Sequence, residues 1–494
     1  MIKQRQGVLV QPQDRLSEKQ IRLIDSMSRE LLEKPGLLCY SEPASELFKK
    51  AGAKVEDQGE YARVSIPPSV IDKALDTVPS KFVLGARDPD NKLVLDAEEP
   101  RVRFGSGSET NVQVKVDFDN GKPVFKRVDG SIERLCEAAH LCENLDNLDF
   151  YIRNVNIRDK EITAENKDVN KYLASLNNIT KHVQAGLTDI NALDSLVRMG
   201  QMIAGGKNEF EDNPLLSFIT CVIKSPLQVV EDTAEKLIAI SKQRVPVVIS
   251  SCPMGGATGA FDEFGMVAMI NAELLAGIII NQLASPGAPV LYGSVPVRTR
   301  LDTLDDMYGA PEFNHYNKDC VQMARHYKVP CYSTAGVGDN SEPGIQTTAE
   351  KMLTLTSVPA AGPQYVHYAF GLLERTNVFC AEQAVIDDAH IGMVKKTLTP
   401  SNIDESRRGQ VMGTIREVMD SSHKTFVYNL PLPTREDVYV KYPLEAPESE
   451  GGALKAASEV VESIHAKERR HLPEDLLKQI KKEIPNVLEK TITS

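Results

Sequence analysis

Tryptophan is absent and aromatic residues make up only 6% of the 494 positions, so any aromatic enclosure must be built from Tyr and Phe. The eight cysteines (Cys39, Cys136, Cys142, Cys221, Cys252, Cys320, Cys331, Cys380) are scattered without a C-x-x-C pair, which disfavours a disulfide framework and a structural zinc site and fits a reducing cytoplasm. None of the nine histidines forms an H-x-x-x-H pair on a helix-like stretch, so no metal ligand set stands out. A positive surplus is also lacking: the formal charge of −12 argues against nucleic acid or an anionic membrane as the main partner and leaves a small molecule or a protein. Long apolar runs are missing too. The longest apolar helix expected, around Leu274 to Leu283, carries Gly277, Asn281 and Gln282 and falls short of the roughly 20 residues a span needs. MIKQRQGVLVQPQDR lacks the apolar centre of a signal peptide, so a soluble cytoplasmic protein is expected.

What is present is a series of strand-like segments with small polar or Gly-rich tips: VPVVISSCPMGG, APVLYGSVPV, VPCYSTAGVGD and PQYVHYAFGLLE. Glycine at a strand tip lets backbone and side chains approach a small ligand, and parallel α/β proteins place their active sites there. Strands are predicted at Phe104 to Glu109, Phe150 to Asn156, Lys181 to Leu187, Leu215 to Val222, Val245 to Ser251, Ala288 to Ser294, Val329 to Ala335 and Pro363 to Gly371. From Phe150 onward the spacers each accommodate one helix. Eight such units match a TIM (β/α)8 barrel, with a doubly wound sheet as the rival. GSGSE makes the first strand the poorest former. The expected division is a helical and β extension over 1–100, the barrel over 101–445 and a charged helical tail over 446–494, entered through a hinge at ESEGGALKAAS. In the extension, SEKQIRLIDSMSRELLEKPG reads as a capped helix stopping at Pro35-Gly36, and the DNG turn reads as part of antiparallel pairing before Val128. The tail's charged face reads as solvated or as a contact for an oligomer or partner.

The stretches CPMGGATGAFDEFGMVAMINAELLAGIIINQLASPGAPVLYGS, GAPEFNHYNKDCVQMARHYKVPCYSTAGVGDN and HYAFGLLERTNVFCAEQAVIDD closely resemble the trimethylamine:corrinoid methyltransferase superfamily, and the likeness runs from KPGLLCYSEPASELFKKAGAKV into the tail. The resemblance implies a TIM barrel that passes a methyl group from a methylated amine to the Co(I) corrinoid of a small partner protein, with no cofactor of its own held tightly. In that family the trimethylamine enzymes carry pyrrolysine after the seventh strand. CYSTAGVGD aligns Val337 with that place and Asp339 with the acid that follows, which points to relatives acting on quaternary amines such as glycine betaine, proline betaine or carnitine.

A quaternary nitrogen is already cationic, so its methyl carbon can be attacked in line while a neutral tertiary amine leaves, without acid, base or adduct. Catalysis then reduces to desolvating the cation and orienting one N–CH3 bond. Such a nitrogen has no lone pair for a Lewis acid, and no metal is expected beyond the partner's cobalt. Cation-binding candidates at strand tips are Phe104, Tyr292, Tyr332, Tyr365, Tyr368 and Phe370, each with core packing as its competing role. His367, Arg298 or Arg300 are available for a betaine carboxylate, and Glu109, Asp339 and Glu374 as acids. Glu273, in an otherwise apolar helix, reads either as a mouth residue or as structural glue paired with Arg or Asn. Met254, Gly255 and Gly256 read as a loop with room for a broad corrinoid face. Two other readings stand beside this one: a Schiff-base enzyme using Lys224, and a betaine-binding protein without turnover.

Overall fold

The computed structural model describes residues 7–426, 443–447, 449 and 451–493; the first six residues of the segment read for a signal peptide, and Glu448 and Glu450 of the expected hinge, lie outside them. The chain is a mixed α/β structure organised on one curled sheet. Its parallel strands and their helices alternate along the chain: β1 (Arg101–Phe104), α1 (Ile132–Glu143), β2 (Tyr151–Ile152), α2 (Ala164–Asn178), β3 (Val183–Gly186), α3 (Leu193–Ala204), β4 (Leu216–Thr220) and α4 (Glu231–Lys242). The series continues with β5 (Val247–Ser251), α5 (Glu263–Ala284), β6 (Val290–Ser294), α6 (Pro311–His326), β7 (Cys331–Thr334), α7 (Ile345–Ser357), β8 (Tyr365–His367) and α8 (Ala381–Leu398). Hydrogen-bonded neighbours run β1-β8-β7-β6-β5-β4-β3-β2, with Val8–Leu9 added antiparallel beside β1. The two ends of the row also touch. Gly105 and Phe150 form a parallel bridge, and the Asp149 N–H donates to the Phe104 carbonyl at 2.7 Å.

Seven strands fall inside the expected windows. The first does not: it occupies Arg101–Phe104, and beyond the Gly105 bridge Ser106–Glu109 is irregular. The reason is burial, since Val102 and Phe104 are fully enclosed whereas Gly-Ser-Gly-Ser offers no apolar side chain to pack.

Side chains alternate across each strand. Val247 and Ile249, Val290 and Tyr292, Cys331, and Val366 join the core between sheet and helices. Their neighbours Val248, Leu291, Tyr332 and Tyr365 turn inward and form a second cluster with Phe150, Ile152 and Val295. A hairpin, Lys81–Leu84 with Leu93–Asp96, closes the amino-terminal end of this inner cluster with Leu84, Leu93 and Leu95. Each such leucine contributes about 1.5–3 kcal/mol by leaving water. The hairpin is tied down beside strand starts, through Gly85 N–H to the Pro214 carbonyl and Asp88 N–H to the Thr180 carbonyl.

Local signals account for the flanking elements. Ser17 caps the helix Glu18–Glu33 in a box closed by Gln20, and that helix ends before Pro35. The DNG sequence makes the hairpin turn between Val112–Asp119 and Lys122–Asp129, where Asn120 and Gly121 both take positive φ. Two expectations need correction. Helix α5 spans 22 residues, long and apolar enough by length to cross a membrane, but 83% of its apolar window is buried against the helices Glu18–Glu33, Pro68–Leu75 and α4, which makes it the central core helix. From Gly452 the expected hinge is instead helix (Gly452–His465), packed on α8 and α1. Beyond it, Asn177 accepts from Leu472 N–H and Asn170 accepts from Leu488 N–H, so the tail is fastened to α2.

The loops beyond β7 and β8 are held by one buried ion pair. Lys351 Nζ lies 3.0 Å from Asp387 Oδ2, both side chains fully enclosed; Lys351 also donates to the carbonyls of Gly336 and Leu372, and Asp387 accepts from Gly371 N–H at 2.7 Å. Removing one partner strands the other charge in a dry site. Lys351→Ala is expected to lower stability by about 3–5 kcal/mol, read from urea unfolding midpoints, with the double replacement Lys351→Met and Asp387→Leu losing much less.

Candidate active site

The inner face of the sheet carries a continuous aromatic wall that runs from the strand starts at Phe150 and Tyr365 to the loops beyond the carboxyl ends. Phe150 stacks on Tyr365 with ring centroids 3.4 Å apart, Tyr365 lies 5.7 Å from Tyr332, Tyr332 lies 3.9 Å from His367 and His367 lies 3.8 Å from Tyr368. Tyr308 extends the wall at 6.4 Å from Tyr368. Two features make room for it. The backbone at Tyr368 adopts φ +67°, a strained conformation for a bulky residue, and a side chain on Gly107 would collide with the Tyr368 ring at 2.4 Å.

Polar groups within this wall are held neutral. Burial lowers the pKa of His367 well below its ordinary value, and its Nε2 is 2.7 Å from Thr334 Oγ1. Its Nδ1, the Tyr365 hydroxyl and Gln184 Nε2 are buried with no hydrogen-bond partner among the described residues, so polar atoms face the interior ready for a ligand or water. Burial likewise raises the pKa values of Tyr308, Tyr332 and Tyr368, keeping them as phenols.

Cys221 and Cys252, each one residue past the end of its strand (β4 and β5), meet with sulfurs 3.7 Å apart, and Ser250 Oγ is 3.6 Å from Cys252 Sγ. Both residues are exposed, whereas the other six cysteines are buried. The pair lies close enough to Tyr332 and Tyr368, and Cys252 to Tyr308, to help raise their phenol pKa values.

Asp339 does not face the rings but positions one of them. Its carboxylate accepts from the N–H groups of Tyr308 at 2.9 Å and Gly309 at 3.0 Å, while its own N–H donates to Glu350 at 2.8 Å. At the other side of the mouth, Glu109 pairs with Arg153 and, at 3.0 Å, with Lys167, beside the buried Lys171–Asp168 pair at 2.5 Å. Burial alone would raise the Glu109 pKa, but the charge and hydrogen bond of Arg153, helped by Lys171 and Lys167, hold it at about 2.

Several residues singled out from the sequence lie elsewhere. Tyr292 points outward and donates its hydroxyl to Asn271 on α5 at 2.9 Å; Phe104 also faces outward, with the Lys395 ammonium 5.6 Å from its ring. Phe370 and Val337 are buried in the outer core. Tyr292 and Phe104 sit on the strand face that alternation turns toward the helices, while Val337 and Phe370 lie in the loops beyond β7 and β8. Glu273 is buried as glue, though with different partners from those expected: it accepts from Ser225 Oγ at 2.8 Å, Ser251 Oγ at 2.5 Å and Leu227 N–H at 3.0 Å. Burial raises its pKa. Lys224 is exposed, on a short strand belonging to a separate five-stranded sheet, so it lacks the apolar enclosure that a Schiff-base lysine needs. Arg300 is paired with Asp302 at the surface, and Glu374 with Arg127 at 2.7 Å.

Arg298 lies over the Phe261 ring at 4.0 Å, in the rim that includes Met254 and Gly255 paired to Val297 and Arg298. Beside Gly256 this rim exposes the apolar side chains of Phe261 and Leu301. Tyr308, Cys221 and Cys252 were missed from sequence. The two cysteines did leave a signal, since SFITC and VISSC place them at the same offset from consecutive strand tips; Tyr308 lies outside the strands and left none. Among the described residues no three His, Cys, Asp or Glu side chains converge as a metal cage. An 810 Å³ groove lined by Arg87, Thr180, Arg470 and His471 lies at the opposite, amino-terminal side and has no aromatic wall.

The sequence profile of the family described as trimethylamine methyltransferase (MTTB) matches residues 4–426. The chain is 30% identical over 383 residues to the trimethylamine methyltransferase MttB of Desulfitobacterium hafniense, covering 77% of this chain and 74% of that one. It is 27% identical over 425 residues to a glycine betaine methyltransferase from another strain of that species, covering 84% of each. It is 29% identical over 393 residues to the trimethylamine methyltransferase MttB of Methanosarcina barkeri, covering 78% and 76%.

The Glu109 cluster makes a prediction for acid. Because the folded state holds this carboxyl below its unfolded value, its stabilising contribution is complete above about pH 4.3 and is lost as the pH falls toward about 2. Glu109→Gln is therefore expected to flatten the fall in unfolding free energy across that window, as read by denaturant titrations at each pH.

Proposed function

The chain belongs to the trimethylamine methyltransferase (MTTB) family, and on that premise we propose that it transfers a methyl group from a quaternary amine to the Co(I) corrinoid of a partner protein. The observation that carries this reading is the wall of Tyr332, His367, Tyr368 and Tyr308, with its histidine neutral. Aromatic faces attract a permanent cation by about 0.5–2 kcal/mol each when partly desolvated, and a neutral imidazole adds no repulsion. Val337 in the place of pyrrolysine supports a quaternary donor over trimethylamine, as does the glycine betaine relative.

The partner's corrinoid supplies the nucleophile. The chain's own task is to strip water from the ammonium, hold it against the rings and leave one N–CH3 bond directed at the open mouth. As that methyl carbon is attacked, its C–N bond breaks, the electron pair stays on nitrogen and a neutral tertiary amine departs. Cation–π attraction fades with the charge, so moderate binding favours reaction better than a tight carboxylate grip would. For a betaine, the substrate carboxylate would find Arg298 at the rim or the unpartnered His367 Nδ1 within.

We read the fold as a TIM (β/α)8 barrel over 101–445, flanked by an extension over 1–100 and a tail over 446–494. Eight successive strand–helix units and the Gly105–Phe150 bridge support this. The exposed Phe261 and Leu301 beside Gly256 support the rim as the face that receives the corrinoid protein, and the packed tail is offered as a contact in a homo-oligomer.

Methylation of a reduced corrinoid partner, followed by loss of Co(I) absorbance, tests the reaction with glycine betaine, proline betaine, carnitine and trimethylamine. At least one quaternary amine is expected to react; a response to trimethylamine alone overturns the proposal, and tight binding without turnover would favour a non-catalytic betaine-binding role. Tyr332→Ala and Tyr368→Ala should each raise KM about 2- to 30-fold, while Tyr368→Phe stays near the parent value.

A further inference from the structure

Six of the eight cysteines are sealed in the core, no more than 2% exposed, and burial raises the pKa of each. Thiols in that condition are inert. Cys221 and Cys252 differ in three respects. Both residues are exposed although their sulfurs are tucked inward, both follow the tips of adjacent hydrogen-bonded strands, and their sulfurs are in contact at 3.7 Å. Strand register, not sequence proximity, creates the pair, since the residues are 31 positions apart.

We propose that Cys221 and Cys252 form an oxidative modification site, a dithiol that a hydroperoxide converts reversibly to an intrachain disulfide at the mouth of the curled sheet. Cys221 is the attacking group. The two thiols share a hydrogen bond that either can donate, and it draws the Cys221 pKa down to about 7 against the effect of burial, whereas the Cys252 pKa is pushed well up. The Cys221 sulfur attacks one peroxide oxygen, the O–O bond breaks, and the departing oxygen leaves with the electron pair and takes up the thiol proton. The resulting sulfenic acid is attacked by the Cys252 sulfur; hydroxide leaves, combines with the Cys252 proton and departs as water. In sum two S–H bonds and one O–O bond are consumed, and one S–S bond and two O–H bonds are formed. This inference does not rest on the methyl-transfer reading.

The test uses the full chain, treated with limiting hydrogen peroxide, quenched by alkylation and mapped by peptide mass spectrometry. The expected product is one linked pair, the Cys221 and Cys252 peptides together lighter by two hydrogen atoms, restored by dithiothreitol, with the other six thiols alkylated only after denaturation. Cys252→Ser should stop at a sulfenic acid on Cys221, and Cys221→Ser should react about tenfold more slowly, with circular dichroism confirming that both variants fold. Oxidation spread evenly over the cysteines, an unreacted pair, or a sulfenic acid on Cys221 that never crosslinks in the parent chain would each overturn the proposal.

Discussion

Side chains on a strand alternate between two faces, and in this molecule that constraint decides which residues can meet a ligand. The sheet curls until its ends touch, so one face of every strand becomes a confined interior and the other becomes a helix-packed core. Tyr332, Tyr365 and His367 fall on the interior face, while Tyr292 falls on the other and donates a hydrogen bond to a helix. The loops that finish the mouth are then fixed by charges working from the core side. Lys351 and Asp387 hold the backbone beyond β7 and β8, and Asp339 holds Tyr308 over the opening. These groups need not touch a ligand to determine the shape of its site.

Much of the architecture was legible because apolar runs with Gly or Ser tips recur at a helix-length spacing, and each run has a single physical use as a buried parallel strand. The first strand was misplaced because its glycine-serine tip is conspicuous and its apolar part, Arg101–Phe104, is short. The candidate site was less legible. A period of two tells which residues share a face, but not which face is inside; Tyr292 and Tyr332 look alike in sequence, and only Asn271 on α5 shows where Tyr292 belongs. Glu273 was readable as glue, yet its partners are hydroxyls and a backbone N–H supplied by the end of β5 and the loop after its neighbour β4, which only strand pairing brings near. Tyr308 escaped because it lies outside the strands and reaches the crevice through a hydrogen bond from a distant loop.

The chemistry assembled here is plain, with phenols, a neutral imidazole and two thiols along an aromatic wall. Such a wall offers a cation polarisable faces without a fixed opposite charge at the rings, and the nearby Glu109 is already occupied by Arg153 and Lys167. That balance suits a donor whose positive charge must vanish as its bond breaks. Lys224 is exposed outside this sheet and takes no part in this wall.

The central claim is that the aromatic wall is where an ammonium binds, and a crystal structure of the chain with glycine betaine tests it most directly. The account predicts the trimethylammonium group within about 6 Å of the ring centres of Tyr332 and Tyr368, with one methyl facing the mouth. Density for the ligand at another surface, with only water beside these rings, would contradict it.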